Sequence, residues 1–316
     1  MLRSGTMSST PVPPPPVGDA LPLSQYLQLP TAPETWLIEP LIPAGGLVNI
    51  YSAPKVGKSF LALDLARALS DADETWLGFT VSMPGPVLYV QLDTPRSLWI
   101  DRFHKLQEAG IPFSDQFYVA DIGQAPYPFK LDEEHCATWL RKQCDTIKPV
   151  LVVIDTTREA HQGDENDSKH MQRVIASLIV ATRPAACLLV SHSRKLQMSP
   201  EGVAESSLMD DNRGSGYIPG RMDTIIQLRG KEGAKSCTMV YQGRAVEHGQ
   251  LTLHRTDHLL WNCLTDAFHE TAKAFLDGEY PSLRARARAL AEASGESPER
   301  CYSTLQRLQK KALQKR

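Results

Sequence analysis

Short apolar runs alternate with segments of helical periodicity through the middle of the chain. The runs are rich in strand-forming residues and lie at residues 47–51, 87–92, 117–120, 150–154 and 187–190. Between them, apolar residues recur at helical spacing in segments 58–69, 96–109, 133–148 and 167–183. Strands that alternate with helices in this way predict an α/β fold, with a mainly parallel sheet covered by helices on both faces.

The alternation stops near residue 194. Residues 195–215 are polar and show no apolar periodicity, which predicts a mobile functional loop. Three strand-like runs follow at 222–228, 236–241 and 250–255, and glycine-containing turns separate them. These runs predict an antiparallel extension of the sheet.

The two ends of the chain differ from its middle. Residues 1–34 form a proline-rich leader and linker that we expect to be disordered, because it cannot bury a core. Three helical patterns lie near the other end, at 266–276, 283–293 and 298–313. Ser282 and Ser297 stand at N-cap positions, and from residue 266 onward there are ten Lys or Arg and seven Asp or Glu. We predict a core at 35–262 and a basic helical module at 263–316.

Composition and charge narrow the class of protein. Apolar residues make up 42% and charged residues 22% of the chain, which is typical of a globular protein. The formal net charge of −2 gives no whole-chain basic field that would indicate nucleic-acid binding. No stretch approaches the ~18 uninterrupted apolar residues of a membrane span, and the six cysteines contain no C-x-x-C pair. We therefore expect a cytoplasmic protein with reduced thiols and no membrane contact.

The segment between the first predicted strand and helix carries a phosphate-binding pattern. Its sequence, SAPKVGKS, matches the P-loop G-x-x-x-x-G-K-[ST] except that Ser52 replaces the first glycine. In such a loop, backbone N–H groups and the N-terminus of the following helix surround phosphates. The candidate nucleotide-binding residues are Ser52, Ala53, Pro54, Lys55, Val56, Gly57, Lys58, Ser59 and Phe60.

Three side chains have defined expected roles at this site. Lys58 is expected to bridge the β- and γ-phosphates, and the Ser59 hydroxyl is expected to ligate Mg²⁺. Asp155 follows the buried run 150–154, at the carboxyl end of a parallel strand, where ligand chemistry collects in open α/β sheets. It is expected to hold Mg²⁺ through water. The alternative to a P-loop is a chance G-K-S sequence at the start of a helix. The alternative for Asp155 is an aspartate that only forms a turn after its strand.

The order and spacing of these pieces resemble the RecA-type ATPase core, and within it the RepA-like branch of hexameric helicases and related plasmid and phage ATPases. The stretches that carry the resemblance are 36–39 with 42–46, 76–78 with 86–90, 165–167, 191–195, and 213–216 through Asp223. The resemblance covers residues 35–256. It implies a RecA-like core, ATP and Mg²⁺ as ligands, and a homo-oligomer, as a hexameric ring or a filament, on single-stranded DNA.

Two further candidate residues take their roles from this resemblance. Asp93, in the run QLDT, occupies the place of the catalytic glutamate that polarises the attacking water, but it is one methylene shorter. Because a misplacement of ~1 Å can cost about 100-fold in rate, we expect slow hydrolysis. His192 matches the sensor position, where it would contact the γ-phosphate; the alternative is a polar cap on a buried strand.

Arg244 takes a third role from the resemblance. It lies in the run QGR, where similar helicases have a K-x-R pair that reaches the nucleotide of the neighbouring subunit. The resemblance implies that Arg244 is an arginine finger. Gln242 replaces the lysine, so half of the pattern is missing, and the alternative is a solvated arginine in a hairpin.

Loops at 162–169 and 194–213 are the candidates for DNA contact, since loops of this core line a central channel. The second loop contains Arg194, Lys195 and Arg213 together with several acidic residues, so each subunit is expected to bind DNA weakly. The basic C-terminal module resembles a helix-turn-helix or winged-helix module. It either contacts DNA or packs on the core or on a neighbouring subunit.

Three functional hypotheses remain open from the sequence. The first is an oligomeric, ATP-hydrolysing motor of the replicative helicase type. The second is an ATP-gated scaffold on single-stranded DNA, of the recombination type, with slow hydrolysis and no unwinding; Asp93 and Gln242 favour it. The third is a regulatory ATPase that acts on a protein partner. DNA-stimulated hydrolysis coupled to strand separation distinguishes the first from the others.

Overall fold

The computed structural model of the protein describes residues 20–28, 35–111, 113–122, 125, 128–193, 217–256, 260–263, 272, 275, 280–294, 298, 301–302 and 305–306. The chain divides into two units, Met1–Glu34 and Thr35–Arg316. In the first unit, the described residues contain the short helix α1 (Leu23–Tyr26). Most of the predicted leader lies outside the described residues. The remaining elements belong to the second unit.

Strands and helices alternate through much of the second unit. In chain order the strands are β1 (Trp36–Glu39), β2 (Ile42–Pro43), β3 (Leu47–Ser52), β4 (Thr75–Trp76), β5 (Phe79–Val81), β6 (Val87–Gln91), β7 (Phe117–Asp121), β8 (Leu151–Asp155), β9 (Ala186–His192), β10 (Thr224–Arg229), β11 (Ser236–Gly243), β12 (Gly249–Arg255) and β13 (Trp261–Cys263). The helices are α2 (Lys58–Ser70), α3 (Arg96–Glu108), α4 (Glu134–Ile147), α5 (Ser168–Thr182), α6 (Tyr217–Arg221) and α7 (Leu283–Ser294), with a 3₁₀ helix at Thr157–Ala160.

Nine of the strands in the described part of the chain form one sheet, in the order β13-β12-β11-β10-β3-β9-β8-β6-β7. The six strands from β10 to β7 are parallel. The strands β11, β12 and β13 continue the sheet in antiparallel pairing. The predicted fold class, a mainly parallel sheet with flanking helices and an antiparallel extension, is confirmed.

The pairing register brings strand ends together at one edge of the sheet. Ser52, the last residue of β3, pairs with His192, the last residue of β9. Asp155, the last residue of β8, pairs with Gln91, the last residue of β6. Residues that follow these strands therefore meet at a common edge, where open parallel sheets place their ligand sites.

The strands turn alternate side chains towards two apolar layers. Val48 and Ile50 of β3 pack in the layer that contains α2, while Leu47 and Tyr51 pack in the layer that contains α4 and α5. Such alternation follows from the two-residue period of a strand. Burial of each aliphatic side chain contributes roughly 1.5–3 kcal/mol, so a strand buried on both faces is held firmly.

A second sheet, in the order β2-β1-β5-β4, is not predicted by the periodicity. Its strands have two to four residues, which is too short for alternation to be recognised. Leu37 and Ile38 of β1 and Trp76 of β4 are buried in the same layer as α2. This sheet therefore extends the core beside the helix that follows β3.

The predicted strands and helices of the core agree with the observed elements to within two residues at each boundary. The predicted loop at 195–215 lies outside the described residues, and the patterns at 266–276 and 298–313 lie mostly outside them. The middle pattern forms α7, and the Ser282 hydroxyl accepts a hydrogen bond of 3.1 Å from Ala285 N–H, as an N-cap does.

None of the helices formed by the described residues combines the length and the apolar character that crossing a membrane requires.

Candidate functional site

The loop between β3 and α2 has the backbone conformation of a phosphate cradle. Gly57 stands at the N-cap of α2 with φ +116°, and Lys55 has φ +60°. The first turn of α2 leaves its N–H groups without helical partners, so the helix end can bind an anion. Ser52 lies in β3 and does not have a positive φ. The position of the first glycine in the motif therefore does not require glycine here.

Lys58 lies inside this loop and is only 5% exposed. Its Nζ donates to Ser52 O at 3.4 Å, to Ser52 Oγ at 3.3 Å and to Ala53 O at 3.3 Å, and lies 3.3 Å from His192 Nδ1. Burial lowers the pKa of Lys58 to about 8, and the negative charges of Asp155 and Asp93 partly offset that shift. A buried ammonium with an incompletely neutralised charge favours an anionic ligand.

Ser59, on the first turn of α2, contacts Asp155 at the end of β8. The Ser59 hydroxyl donates to Asp155 Oδ1 at 3.2 Å, and the Tyr89 hydroxyl of β6 donates to Asp155 Oδ2 at 2.7 Å. Burial raises the pKa of Asp155, and the two hydroxyl donors and Lys58 act against that shift. A hydroxyl and a carboxylate at one point form the oxygen set that Mg²⁺ prefers, so these residues fit a magnesium ion.

Asp93 lies on an exposed turn that follows β6. The side chain of Gln91 clamps this turn: Thr94 N–H donates to Gln91 Oε1 at 2.7 Å, and Gln91 Nε2 donates to Thr94 O and, at 3.3 Å, to Asp121 Oδ1. Because both ends of the Gln91 amide are engaged, the turn that carries Asp93 is fixed to the sheet edge.

These groups line one open cavity of about 520 Å³, a volume within the range of small-ligand sites. The sequence-predicted residues that the structure brings together in its lining are Pro54, Lys55, Gly57, Lys58, Ser59, Phe60, Asp93 and His192. Asp155 joins them through its contact with Ser59. The cavity continues towards the β10–β11 turn, where Glu232 Oε1 lies 2.6 Å from the exposed Lys55 Nζ.

Arg102 of α3 also lines the cavity, and sequence reasoning missed it. Its guanidinium carbon lies 4.4 Å from the centre of the Phe60 ring and 5.2 Å from that of Trp99. Its Nη1 is buried and has no hydrogen-bond partner among the described residues. Burial lowers the pKa of Arg102, and charge interactions with Tyr89 and Asp155 partly offset that shift. The sequence feature that could have indicated Arg102 is a charged residue one turn after Trp99, on the apolar face of α3.

Arg244 lies at the opposite end of the sheet. Its backbone N–H donates to Asp223 O at 2.9 Å, and Asp223 Oδ2 accepts from the N–H of Leu47, the first residue of β3, at 2.8 Å. Its guanidinium donates to Gly220 O at 3.0 Å. The P-loop follows the other end of β3, about 20 Å away for a six-residue strand. The structure therefore does not bring Arg244 to the cavity of its own chain.

The proposed DNA-contacting residues Arg194, Lys195 and Arg213 lie outside the described residues. The other candidate loop, 162–169, begins just after the 3₁₀ helix that follows Asp155. It is anchored at its base, where the buried His161 Nε2 lies 3.7 Å from Glu165 Oε1 and Gly163 N–H donates to His170 Nε2 at 3.2 Å.

Two solved structures share the fold that this sheet and loop define. One is the ATPase domain of G40P, with a TM-score of 0.51 and 16% sequence identity, covering 70% of this chain and 85% of that chain. The other is a DnaB-like replicative helicase, with a TM-score of 0.50 and 17% identity, covering 69% of this chain and 59% of that chain. At these identities the likeness concerns the fold. Comparison of the sequence with curated proteins gives no match.

A parallel sheet with a P-loop between its central strand and the following helix defines the class of P-loop proteins. Residues 12–198, more than half of the chain, match the AAA_25 family, an AAA domain. The chain therefore belongs to this AAA domain family of RecA-like P-loop ATPases, and the resemblance stated from the sequence is confirmed.

Proposed function

We propose that this protein is an oligomeric ATPase that hydrolyses ATP with Mg²⁺ and acts on single-stranded DNA as a helicase-type motor. One observation carries the proposal: Lys58, Ser59, Asp93 and His192 converge on one cavity, with Asp155 in contact through Ser59. These residues come from four separate segments, and each has a side chain that phosphoryl transfer can use.

Each residue of the cavity has a separate task in this proposal. The Lys58 ammonium and the N–H groups at the start of α2 bind the β- and γ-phosphates. Ser59 and Asp155 would hold Mg²⁺, and the ion would supply positive charge to neutralise the phosphates. Tyr89, which donates to Asp155 at 2.7 Å, keeps the carboxylate oriented towards Ser59.

Asp93 and Arg102 supply the remaining chemistry. The Asp93 carboxylate orients the attacking water and accepts its proton. The guanidinium carbon of Arg102 lies 4.4 Å from the centre of the Phe60 ring and 5.2 Å from that of Trp99. The guanidinium stabilises the negative charge that develops on the transferred phosphoryl group. His192, in contact with Lys58 through Nδ1 at 3.3 Å, responds to the position of the γ-phosphate.

The place of Arg244 supports an oligomer. Since Arg244 lies at the end of the sheet opposite to its own cavity, it can act as an arginine finger only on a neighbouring subunit's nucleotide. Such a contact joins one end of a subunit to the other end of the next. Head-to-tail contacts of this kind close into a ring or continue as a filament.

DNA contact is assigned to the loops that follow the strands of the site. Arg194, Lys195 and Arg213 lie in the segment that follows His192 of β9, and loop 162–169 follows the strand of Asp155. Hydrolysis at the phosphates would move both loops, because the loops follow the ends of β8 and β9. The proposed module 263–316, which follows the proposed core at 35–262 and has ten Lys or Arg against seven Asp or Glu, would add positive charge for DNA contact.

The test is ATP turnover by the full-length protein, measured with and without single-stranded DNA, together with separation of a forked duplex. The proposal predicts that DNA raises turnover and that ATP drives strand separation. Turnover that single-stranded DNA leaves unchanged, in a protein that binds that DNA, would contradict it.

A second candidate function rests on Asp93. Its carboxylate is one methylene shorter than glutamate, and it lies on an exposed turn rather than in a closed site. Slow hydrolysis would suit an ATP-gated scaffold that assembles on single-stranded DNA without unwinding it. Electron microscopy with a non-hydrolysable ATP analogue and single-stranded DNA distinguishes the two, because the scaffold forms assemblies on DNA but separates no strands in the fork assay.

A further inference from the structure

Trp261 on β13 lies against the phosphate-binding loop, although three strands separate β13 from β3 in the sheet. The side chain is 2% exposed. Its indole Nε1 donates a hydrogen bond of 3.2 Å to the carbonyl oxygen of Gly57. This contact joins the last strand of the sheet to the residue that caps α2.

The shape of the loop at Gly57 depends on the same indole. A Cβ atom added to Gly57 would lie 2.6 Å from Cζ2 and 3.3 Å from Cε2 of Trp261. The φ of +116° at Gly57 independently disfavours any other residue. The ring therefore packs on the bare face of the glycine, and it fills the space that a side chain would occupy.

The hydrogen bond fixes the peptide that faces the phosphates. Gly57 O accepts from Leu61 N–H at 3.1 Å and from Trp261 Nε1 at 3.2 Å. In a planar trans peptide, the N–H of Lys58 is antiparallel to the C=O of Gly57. Two donors on that oxygen therefore also set the direction of the Lys58 N–H, one of the groups at the start of α2 that can bind an anion.

We infer that Trp261 is a positioning residue for triphosphate binding, which holds the Gly57–Lys58 peptide in the orientation that presents its N–H to the phosphates. The inference rests on the proposed nucleotide site. It also gives the strand that precedes the C-terminal module a direct contact with that site. The role belongs to the indole N–H as well as to the ring. Phenylalanine is therefore the informative replacement, because it keeps an aromatic ring and removes the N–H donor.

The experiment compares Trp261→Phe with Trp76→Phe in the full-length protein. Trp76 is also 2% exposed, but it lies on β4, and the three atoms nearest to a Cβ at Gly57 all belong to Trp261. Calorimetric titration with ATP and Mg²⁺ gives the affinity, steady-state turnover gives KM and kcat, and thermal melting reports the fold.

For Trp261→Phe we expect ATP affinity to fall about three- to tenfold, the factor that one neutral hydrogen bond carries. The KM for ATP should rise by the same factor, with kcat changed less than twofold. Trp76→Phe should lower the melting temperature as much or more and leave ATP affinity unchanged. A purely structural Trp261 would give the same result as Trp76.

Two results of this experiment would contradict two different claims, the positioning role of Trp261 and the nucleotide site itself. Equal ATP affinity in Trp261→Phe and the wild type, with both folded, overturns the positioning role and leaves the nucleotide site intact. A folded wild-type protein that binds no ATP overturns the proposed site, and this inference with it. Trp261→Ala, which also removes the ring, should weaken ATP binding more than Trp261→Phe does.

Discussion

The Nζ of Lys58 lies 3.3 Å from Nδ1 of His192. This contact joins the phosphate-binding loop to the end of β9, which pairs with β3 in parallel register. In the tautomer that carries the imidazole proton on Nε2, Nδ1 can accept a proton that Lys58 shares with the loop oxygens. The pair couples the group that we propose to bind phosphate to the strand that leads into the proposed DNA loop.

The first prediction concerns the pH dependence of ATP affinity. Burial lowers the pKa of Lys58 to about 8, and bound phosphates would raise it again, so the complex keeps a proton that the free protein loses above that pH. Affinity should therefore be flat below about pH 8 and fall towards tenfold per pH unit above it. Titration calorimetry between pH 7 and 9.5 measures this. Lys58→Arg, whose side chain stays charged over this pH range, should bind ATP more weakly but show no loss of affinity as the pH rises. A wild-type ATP affinity that does not change with pH would contradict the assignment of Lys58 to the phosphates.

The second prediction concerns Arg102. Arg102→Ala should lower ATP turnover about 100-fold or more, since a positioned charge on the developing phosphoryl charge is worth that order of rate. The control is Arg96→Ala on the same helix, because Arg96 pairs with Asp121 at 2.6 Å and lies outside the cavity lining. The control should keep near-normal turnover. Equal turnover in both variants would show that Arg102 only packs against Phe60 and Trp99.

The third prediction separates the two candidate functions through Asp93. Asp93→Asn should abolish turnover while ATP still binds, because the amide cannot accept the proton of water. Asp93→Glu should raise turnover if the shorter side chain limits the wild-type rate. Single-turnover hydrolysis and ATP titration check both variants. If Asp93→Asn hydrolyses ATP at the wild-type rate, the base lies elsewhere.

The fourth prediction concerns Arg244 as a residue that acts between subunits. Arg244→Ala should bind ATP but lose most turnover, because arginine fingers contribute ~10³–10⁵ in rate. Mixing it with Lys58→Ala subunits should recover activity, since an intact P-loop can then meet an intact finger. Turnover is measured across mixing ratios, with mixed assembly shown independently by pull-down of differently tagged subunits. No recovery in confirmed mixed assemblies would exclude a role between subunits.

The main sheet was predictable because its strands are buried on both faces. The run 150–154, for example, contains only valine, leucine and isoleucine, and a parallel buried strand has this composition. The two-residue strands β2 and β4 were not predictable from their own sequences. They are strands because they pair with β1 and β5. β13, with three residues, was missed for the same reason.

The candidate site was predictable where one short motif contains it. The P-loop residues are contiguous, and Ser52, which stands in place of the first glycine of the motif, is a strand residue without a positive φ. Arg102 and Trp261 carry no motif. Arg102 reaches the cavity by packing against Phe60, and Trp261 reaches the phosphate-binding loop by packing against Gly57. Single-sequence periodicity does not contain such tertiary contacts.

ATP affinity of Lys58→Ala beside Lys55→Ala tests the central claim most directly, because the two lysines lie in one loop but in opposite environments. Lys58 is buried among the loop carbonyls, whereas the Lys55 side chain is 75% exposed and pairs with Glu232. By calorimetric titration with ATP and Mg²⁺, Lys58→Ala should lose measurable binding and keep its melting temperature, while Lys55→Ala should bind within a few-fold of the wild type. Wild-type affinity in a folded Lys58→Ala protein would contradict the account.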